Sequence, residues 1–410
     1  MLKIVNIGDR VIADKKRVII GTVLTIFVAS LIVFDLAQNV KYNNMLNLLL
    51  FATFIIISIM ERDYKLELPD IAIAYFLFSI FAFSSTFWAV DFDLAFKYYS
   101  RLLTVTINFI IIYTILKRYK IENTILYGIL LGALYNILIG LNIIHPNYEV
   151  FEFGRFTGSL GNSNKIAKTM LLSIFASLVL LSLNSTKGWF RVYNYINIIL
   201  SFYIIILTIS KKAIILAPLM ILLSFSIKNL KLKNIVIFIL LIFVTIKILI
   251  TYSDIHQLNN LSHLIEKRFE GMIDMINGYG GDASSKERAF LLEEGFNIFS
   301  NSPIFGIGLN NARYFLIKYT HNNYLELLIG VGIIGTILFY SIYIITIKKV
   351  YKMPPSMKRR YFFIMILVIL LLDMATVTYY TKPVLFTLLY IYYVAQKEEI
   401  KLCKIANQNQ

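Results

Sequence analysis

The sequence predicts an all-α, polytopic membrane protein of about twelve transmembrane helices, on three observations. First, 58% of its 410 residues are hydrophobic and only 16% are charged, against roughly 45–50% and about 25% in soluble domains. Too few polar residues remain to cover a water-exposed surface, and the mean hydropathy is +0.71. Second, the apolar residues fall in runs near the ~20 residues needed to cross a hydrocarbon core of about 30 Å. Third, the basic residues cluster between those runs, as they do in cytoplasmic loops.

The runs lie at about 17–38, 43–60, 70–90, 102–117, 124–144, 166–183, 194–210, 213–227, 234–250, 322–347, 360–381 and 383–395. The first follows Lys15, Lys16 and Arg17, which resembles the basic start of a signal peptide. Its apolar stretch is too long for a cleaved signal, and no small-residue cleavage site follows, so it reads as a retained anchor. With the N-terminus inside, the inner connections hold 24 Lys and Arg and the outer ones 15, of which six fall in a long loop at 251–321. Long loops report little on orientation, so both termini are expected in the cytoplasm. The excess of 40 basic over 24 acidic side chains, +16 in all, then follows from topology and calls for no nucleic acid. A single cysteine, Cys403, excludes an internal disulfide framework and multi-cysteine metal sites.

Two outer connections exceed the ~15 residues beyond which loops usually carry function or are disordered: 145–165 and 251–321. In the second, Leu258, Leu261, Leu264, Ile265, Phe269, Met272, Ile273 and Ile276 recur at helical spacing, which predicts an amphipathic helix. Tyr279-Gly280-Gly281-Asp282 interrupts it. Ser284 and Glu287 then have capping-box spacing ahead of a second helix through Ala289, Phe290, Phe296 and Phe299, ended by Pro303. The chain therefore reads as one integral membrane domain over 1–410 with an outer, partly helical subdomain at 251–321. The bland alternative for that loop is a lid without chemistry.

Four basic positions on this face sit at the ends of apolar segments: Arg155, Lys211, Lys212 and Arg288. Singly, each is explained by snorkelling to water or by a lipid phosphate. Together they suggest a cationic basin, in which Arg288 can meet phosphate oxygens bidentately. His321 follows at the start of the tenth run. A histidine there is commonly a structural hydrogen bonder, but it is also the side chain best suited to take a proton near neutral pH. Asp91-Phe92-Asp93 has the form of a metal-binding D-x-D, and also of an ordinary interfacial pair. Gly306-Ile307-Gly308 lacks the strand and the third glycine of a nucleotide fingerprint, and no Walker, H-E-x-x-H or G-x-S-x-G motif occurs. Lys247, Glu326 and Asp373 are the main ionisable groups within the runs, which is sparse for a coupled transporter.

Three blocks resemble the O-antigen polymerase and O-antigen ligase superfamily. They are Gly154-Arg155-Phe156-Thr157-Gly158-Ser159 with Asn162 and Asn164; Ser210-Lys211-Lys212-Ala213; and Arg288 followed by Pro303-Ile304-Phe305-Gly306-Ile307-Gly308, His321-Asn322-Asn323-Tyr324-Leu325 and Gly332-Ile333-Ile334-Gly335. The family usually has arginine where Lys211 stands, and lysine binds phosphate less specifically. The resemblance implies a GT-C-like membrane glycosyltransferase on the outer face of the bacterial cytoplasmic membrane. Its substrate would be an oligosaccharide on undecaprenyl diphosphate, and no cofactor or metal is implied. Arg155, Lys211, Lys212 and Arg288 would hold the diphosphate, and His321 with Arg288 would serve the reaction. A polymerase of surface-polysaccharide repeats (O-antigen, capsule or exopolysaccharide) is the leading expectation, with a chain-length regulator and a flippase as partners. A ligase to lipid A-core and a flippase of lipid-linked glycan are the alternatives.

Overall fold

Apolar side chains with good helix propensity fold the runs into α-helices, because in lipid every backbone polar group must be satisfied within its own segment. A computed structural model describes residues 7–34, 40–60, 65–183, 188–224 and 283–408. The helices are α1 (Ile7–Val33), α2 (Val40–Met60), α3 (Asp70–Ser84), α4 (Phe92–Tyr119), α5 (Thr124–Gly140), α6 (Ser163–Leu181), α7 (Trp189–Leu207) and α8 (Lys211–Ser224). After an interval come α9 (Ala283–Asn301), α10 (Ala312–Leu316), α11 (Asn323–Tyr351), α12 (Met357–Asp373) and α13 (Lys382–Gln408). Eleven of the twelve expected runs coincide with a helix. The run at 234–250 and the amphipathic helix expected over 258–276 lie outside the described residues. By length and composition, six described helices can cross a membrane: α1 from Asp14, α3 with its 3-10 extension to Trp88, α4, α6, α7 and α11. Met45–Ile59 and Thr124–Gly140 are shorter apolar helices. The chain is thus an all-α membrane protein.

Small residues set the closest helix contacts. A Cβ on Gly128 would come within 2.6 Å of Val28 Cβ, and one on Gly132 within 2.8 Å of Ile32 Cβ. This G-x-x-x-G ridge lets α5 lie against α1, the usual packing device in a membrane interior. Elsewhere the core is aromatic: Tyr75 and Phe78 of α3, Phe109 of α4, Phe339 of α11 and Phe386 of α13 are fully buried, and Tyr75 donates its hydroxyl to the Tyr379 carbonyl at 2.8 Å.

The second helix of the long loop, α9, ends at Asn301, ahead of Pro303 as expected. The capping box expected at Ser284 and Glu287 involves a side chain outside the described residues. The Glu287 carboxylate pairs with Lys318, across to the segment that carries His321.

Among the described residues, the break inside a long helix has a clear cause. In α11, Gly332 adopts φ 65°, ψ −169°, a conformation open essentially to glycine alone. The break frees backbone groups, and the Pro303–Gly308 turn takes them up. Ile307 and Gly308 N–H donate to the carbonyls of Ile329 and Gly330 at 2.9 Å each, while Ile333 N–H donates to the Pro303 carbonyl at 2.9 Å. Gly306 sits so close that a Cβ would meet the Gly330 backbone at 2.6 Å. The Pro-x-x-Gly-x-Gly motif therefore plugs a helix break and fixes α9 and α10 to α11.

Candidate functional site

Arg155 lies on a two-residue hairpin, β1 (Phe151–Glu152) and β2 (Arg155–Phe156). Its turn residues Phe153 and Gly154 have φ 48° and 73°, the positive pair of a type I′ turn. The hairpin aims Arg155 at the end of α7, where its Nε donates to the Thr208 carbonyl at 3.0 Å. A cation there meets the negative end of the α7 dipole. The chain turns sharply at Ile209 (φ 48°). Ser210 then donates its hydroxyl to Asn164 Oδ1 at 3.1 Å, and Lys211 and Lys212 open α8.

These elements enclose a cavity of about 560 Å³ lined by Arg155, Lys168, Lys211, Lys212 and Arg288 among other residues, with Leu292 and Leu372 on its apolar wall. All four cations singled out from the sequence are brought together there. Lys168 of α6 is a fifth that sequence reasoning missed, because it sits within an apolar run; it is 7% exposed and interacts electrostatically with buried Asp373. Among the described residues, none of those lining it is a carboxylate.

His321 is not on the cavity wall but lies beside it, within electrostatic reach of Arg288 and Lys212. Its backbone is left-handed, φ 55°, and both flanks hold it there. On one side, Thr320 donates its N–H and its hydroxyl to Glu326 Oε2, each at 2.9 Å. On the other, Asn322 caps α11, accepting from the N–H of Tyr324 at 3.0 Å and of Leu325 at 3.2 Å. The imidazole packs on the Tyr319 ring at 4.0 Å between centroids. Burial, then the charges of Arg288 and Lys212, lower its pKa from 6.5 to about 4, with Glu287 opposing. The ring is therefore neutral at physiological pH and ready to accept a proton. Glu287 itself is held below the usual carboxylate range by its hydrogen bond from Lys318.

Asp91 and Asp93 have a different place. The Asp91 carboxylate accepts from Leu94 N–H at 2.9 Å and caps α4, and its own N–H donates to Asn311 Oδ1 at 2.6 Å. The D-x-D spacing thus serves a helix start. Sequence reasoning passed over the roles of Glu326 and Asn322 in holding His321. Glu326 was visible as a rare carboxylate within an apolar run, the one signal that marks such groups.

Fold and site together define a helical membrane protein with a cavity lined by five cationic side chains next to a neutral histidine. Sequence comparison then adds one finding: residues 196–340, about a third of the chain, match the family model described as O-antigen ligase, which supports the resemblance to the O-antigen polymerase and ligase superfamily. Members of this family are membrane glycosyltransferase-like enzymes, polymerases and ligases both. The matched segment runs from within α7 into α11. It contains Lys211, Lys212, Arg288 and His321 but not Arg155 or Lys168. No curated protein matches the chain.

Proposed function

We propose that this protein polymerises lipid-linked oligosaccharide repeats on the outer face of the bacterial cytoplasmic membrane. The observation that carries the reading is the cavity lined by Arg155, Lys168, Lys211, Lys212 and Arg288 beside a histidine that is neutral at pH 7. The donor is a glycan on undecaprenyl diphosphate, whose diphosphate sits among the cations. As the anomeric C–O bond breaks, negative charge grows on the leaving phosphate oxygen. Fixed cations in a water-poor site stabilise that charge, commonly the largest catalytic contribution. The acceptor hydroxyl oxygen forms the new glycosidic bond and its proton passes to His321. The diphosphate departs with the bonding electron pair, so charge and atoms balance. Arg155 and Arg288 suit bidentate contact with phosphate, while Lys168, Lys211 and Lys212 act as point charges. The reading includes a twelve-span topology with both termini cytoplasmic, no metal, and a chain-length regulator and flippase as partners.

The same groups serve a ligase that moves glycan onto lipid A-core, and the matching family's description as O-antigen ligase favours that second reading. Purified protein with synthetic lipid-linked repeats, in excess chelator, decides between them. Polymer is expected. Arg288→Ala and His321→Ala are expected to lower the rate at least a hundredfold, in line with losses on removing one transition-state donor. Transfer only when lipid A-core is added makes the protein a ligase. No transfer to either acceptor, with movement of lipid-linked repeats across vesicles, makes it a flippase and ends the catalytic assignment.

A further inference from the structure

A second cationic cluster gathers around Tyr98 and Tyr319, apart from the residues that line the cavity. The Tyr98 ring carries two guanidinium groups, Arg101 Cζ at 4.5 Å and Arg313 Cζ at 5.3 Å from its centroid. Arg101 also lies 5.7 Å from the Tyr380 ring. Arg313 lies 5.1 Å from the Tyr319 ring, which is the ring against which His321 packs. A continuous set of contacts thus runs from Arg101 through Tyr98, Arg313 and Tyr319 to His321, and from there electrostatically to Arg288 and Lys212. The two arginines come from separate elements, α4 and α10, so the chain converges here from distant points.

Charge at this cluster is under-compensated. Its carboxylate is Glu326, fully buried and already accepting both hydrogen bonds from Thr320. Asn310 connects it to Arg313, with the amide nitrogen donating to Glu326 Oε1 at 3.2 Å and the amide oxygen accepting from Arg313 Nε at 3.3 Å. Among the described residues Arg101 makes its contacts with tyrosine rings and has no carboxylate partner. A guanidinium held by its face on an aromatic ring keeps its N–H edge for a planar, bidentate anion such as phosphate. Tyr319 and Tyr380 are only half-buried, which leaves ring surface for the apolar faces of a sugar.

We propose that Arg101 and Arg313, on a floor of Tyr98, Tyr319 and Tyr380, bind the diphosphate and first sugar of a second lipid-linked glycan, the acceptor. This rests on the polymerase reading, in which both substrates carry a lipid diphosphate and must meet at one histidine. The donor occupies the five-cation cavity and the acceptor this cluster, so that the acceptor hydroxyl approaches His321 from the Tyr319 side. A ligase, whose acceptor has no lipid diphosphate, has no use for a second such site.

The test counts bound undecaprenyl diphosphate, free of glycan, on the full-length protein by native mass spectrometry. Two equivalents are expected for the wild type. One is expected for Arg101→Gln, and one for the double change Lys212→Gln and Arg288→Gln. Arg101 is chosen because Arg313 supports buried Glu326 and its replacement is liable to misfold. In transfer assays with a labelled short-lipid acceptor, Arg101→Gln is expected to raise the acceptor KM at least tenfold with the donor KM unchanged, and Arg101→Lys to recover part of it. A single equivalent on the wild type overturns the proposal. So do two equivalents on Arg101→Gln, or loss of the Arg101-dependent equivalent to excess phosphatidylglycerol, which marks an ordinary lipid headgroup site. Two bound equivalents without any transfer leave the site standing and refute the polymerase reading instead.

Discussion

At the scale of single residues, the electrostatics of His321 make a signed prediction. Its pKa is lowered to about 4, by burial first and then by Arg288 and Lys212, so the imidazole stays neutral over the physiological range. For the free protein, kcat/KM is expected to be flat from pH 8 down to about 5 and to fall as pH drops through 4. In the proposed reading, bound diphosphate offsets the charges of Arg288 and Lys212 and so raises the His321 pKa. The acid limb of kcat is therefore expected at higher pH than that of kcat/KM, since the two report the complex and the free protein respectively. Coincident limbs would place the diphosphate away from these two cations. Stability carries the matching sign: unfolded His321 takes up its proton near 6.5 while the folded residue waits until about 4. Stability is thus full above 6.5 and declines as pH falls towards 4. Thermal unfolding at pH 7 and pH 4.5 is expected to differ less in His321→Gln than in the wild type. Much at this scale was legible in the sequence: Arg155, Lys211, Lys212, Arg288 and His321 stood out as polar groups against apolar surroundings. Lys168 did not, because a lysine in an apolar run looks the same whether it meets lipid, a carboxylate or a cavity.

At the scale of elements, the break in α11 is the feature on which the site depends. The Pro303–Gly308 turn docks into it through backbone hydrogen bonds, and this contact carries α9, with Arg288, towards His321. In Gly332→Ala the new Cβ would meet the Ile304 carbonyl oxygen at 2.2 Å, in a backbone region closed to alanine. A loss of at least ~3 kcal/mol is expected, combining a strained conformation with a steric clash. Denaturation of the detergent-solubilised protein measures it, and an unchanged transition would mean that the turn and helix part readily. The glycines were legible as a motif, but their purpose was not. A spacing of Pro-x-x-Gly-x-Gly shows that a turn exists, and only the partner strand of backbone shows that the turn completes another helix. Glu287 illustrates the same point, since its pairing with Lys318 across space has no local signature.

At the scale of the whole molecule, the prediction concerns sidedness. Arg155, Lys211, Arg288 and His321 fall in connections expected outside, whereas the ion pairs Lys117–Glu67, Lys349–Glu399 and Lys397–Glu122 join segments expected inside. Single cysteines introduced at exposed Lys286 or Lys318, in a Cys403→Ser background, are expected to react with an impermeant reagent in intact cells. A cysteine at exposed Lys352 is expected to react only after permeabilisation. The reverse pattern would invert the topology and remove the site from the face where lipid-linked glycans are joined.

The sequence by itself determined the class of molecule, the positions of its helices and the identities of most of its polar groups, since apolar run length and charge placement are local properties that lipid and water read directly. Only the tertiary structure decided which of those groups share a space. Residues as far apart as Arg155 and Arg288 line one cavity, Lys168 joins them, and Arg101 meets Arg313 over a single tyrosine ring. Such meetings depend on helix crossings set by small residues and on a turn plugged into a broken helix, interactions between segments that no local pattern encodes.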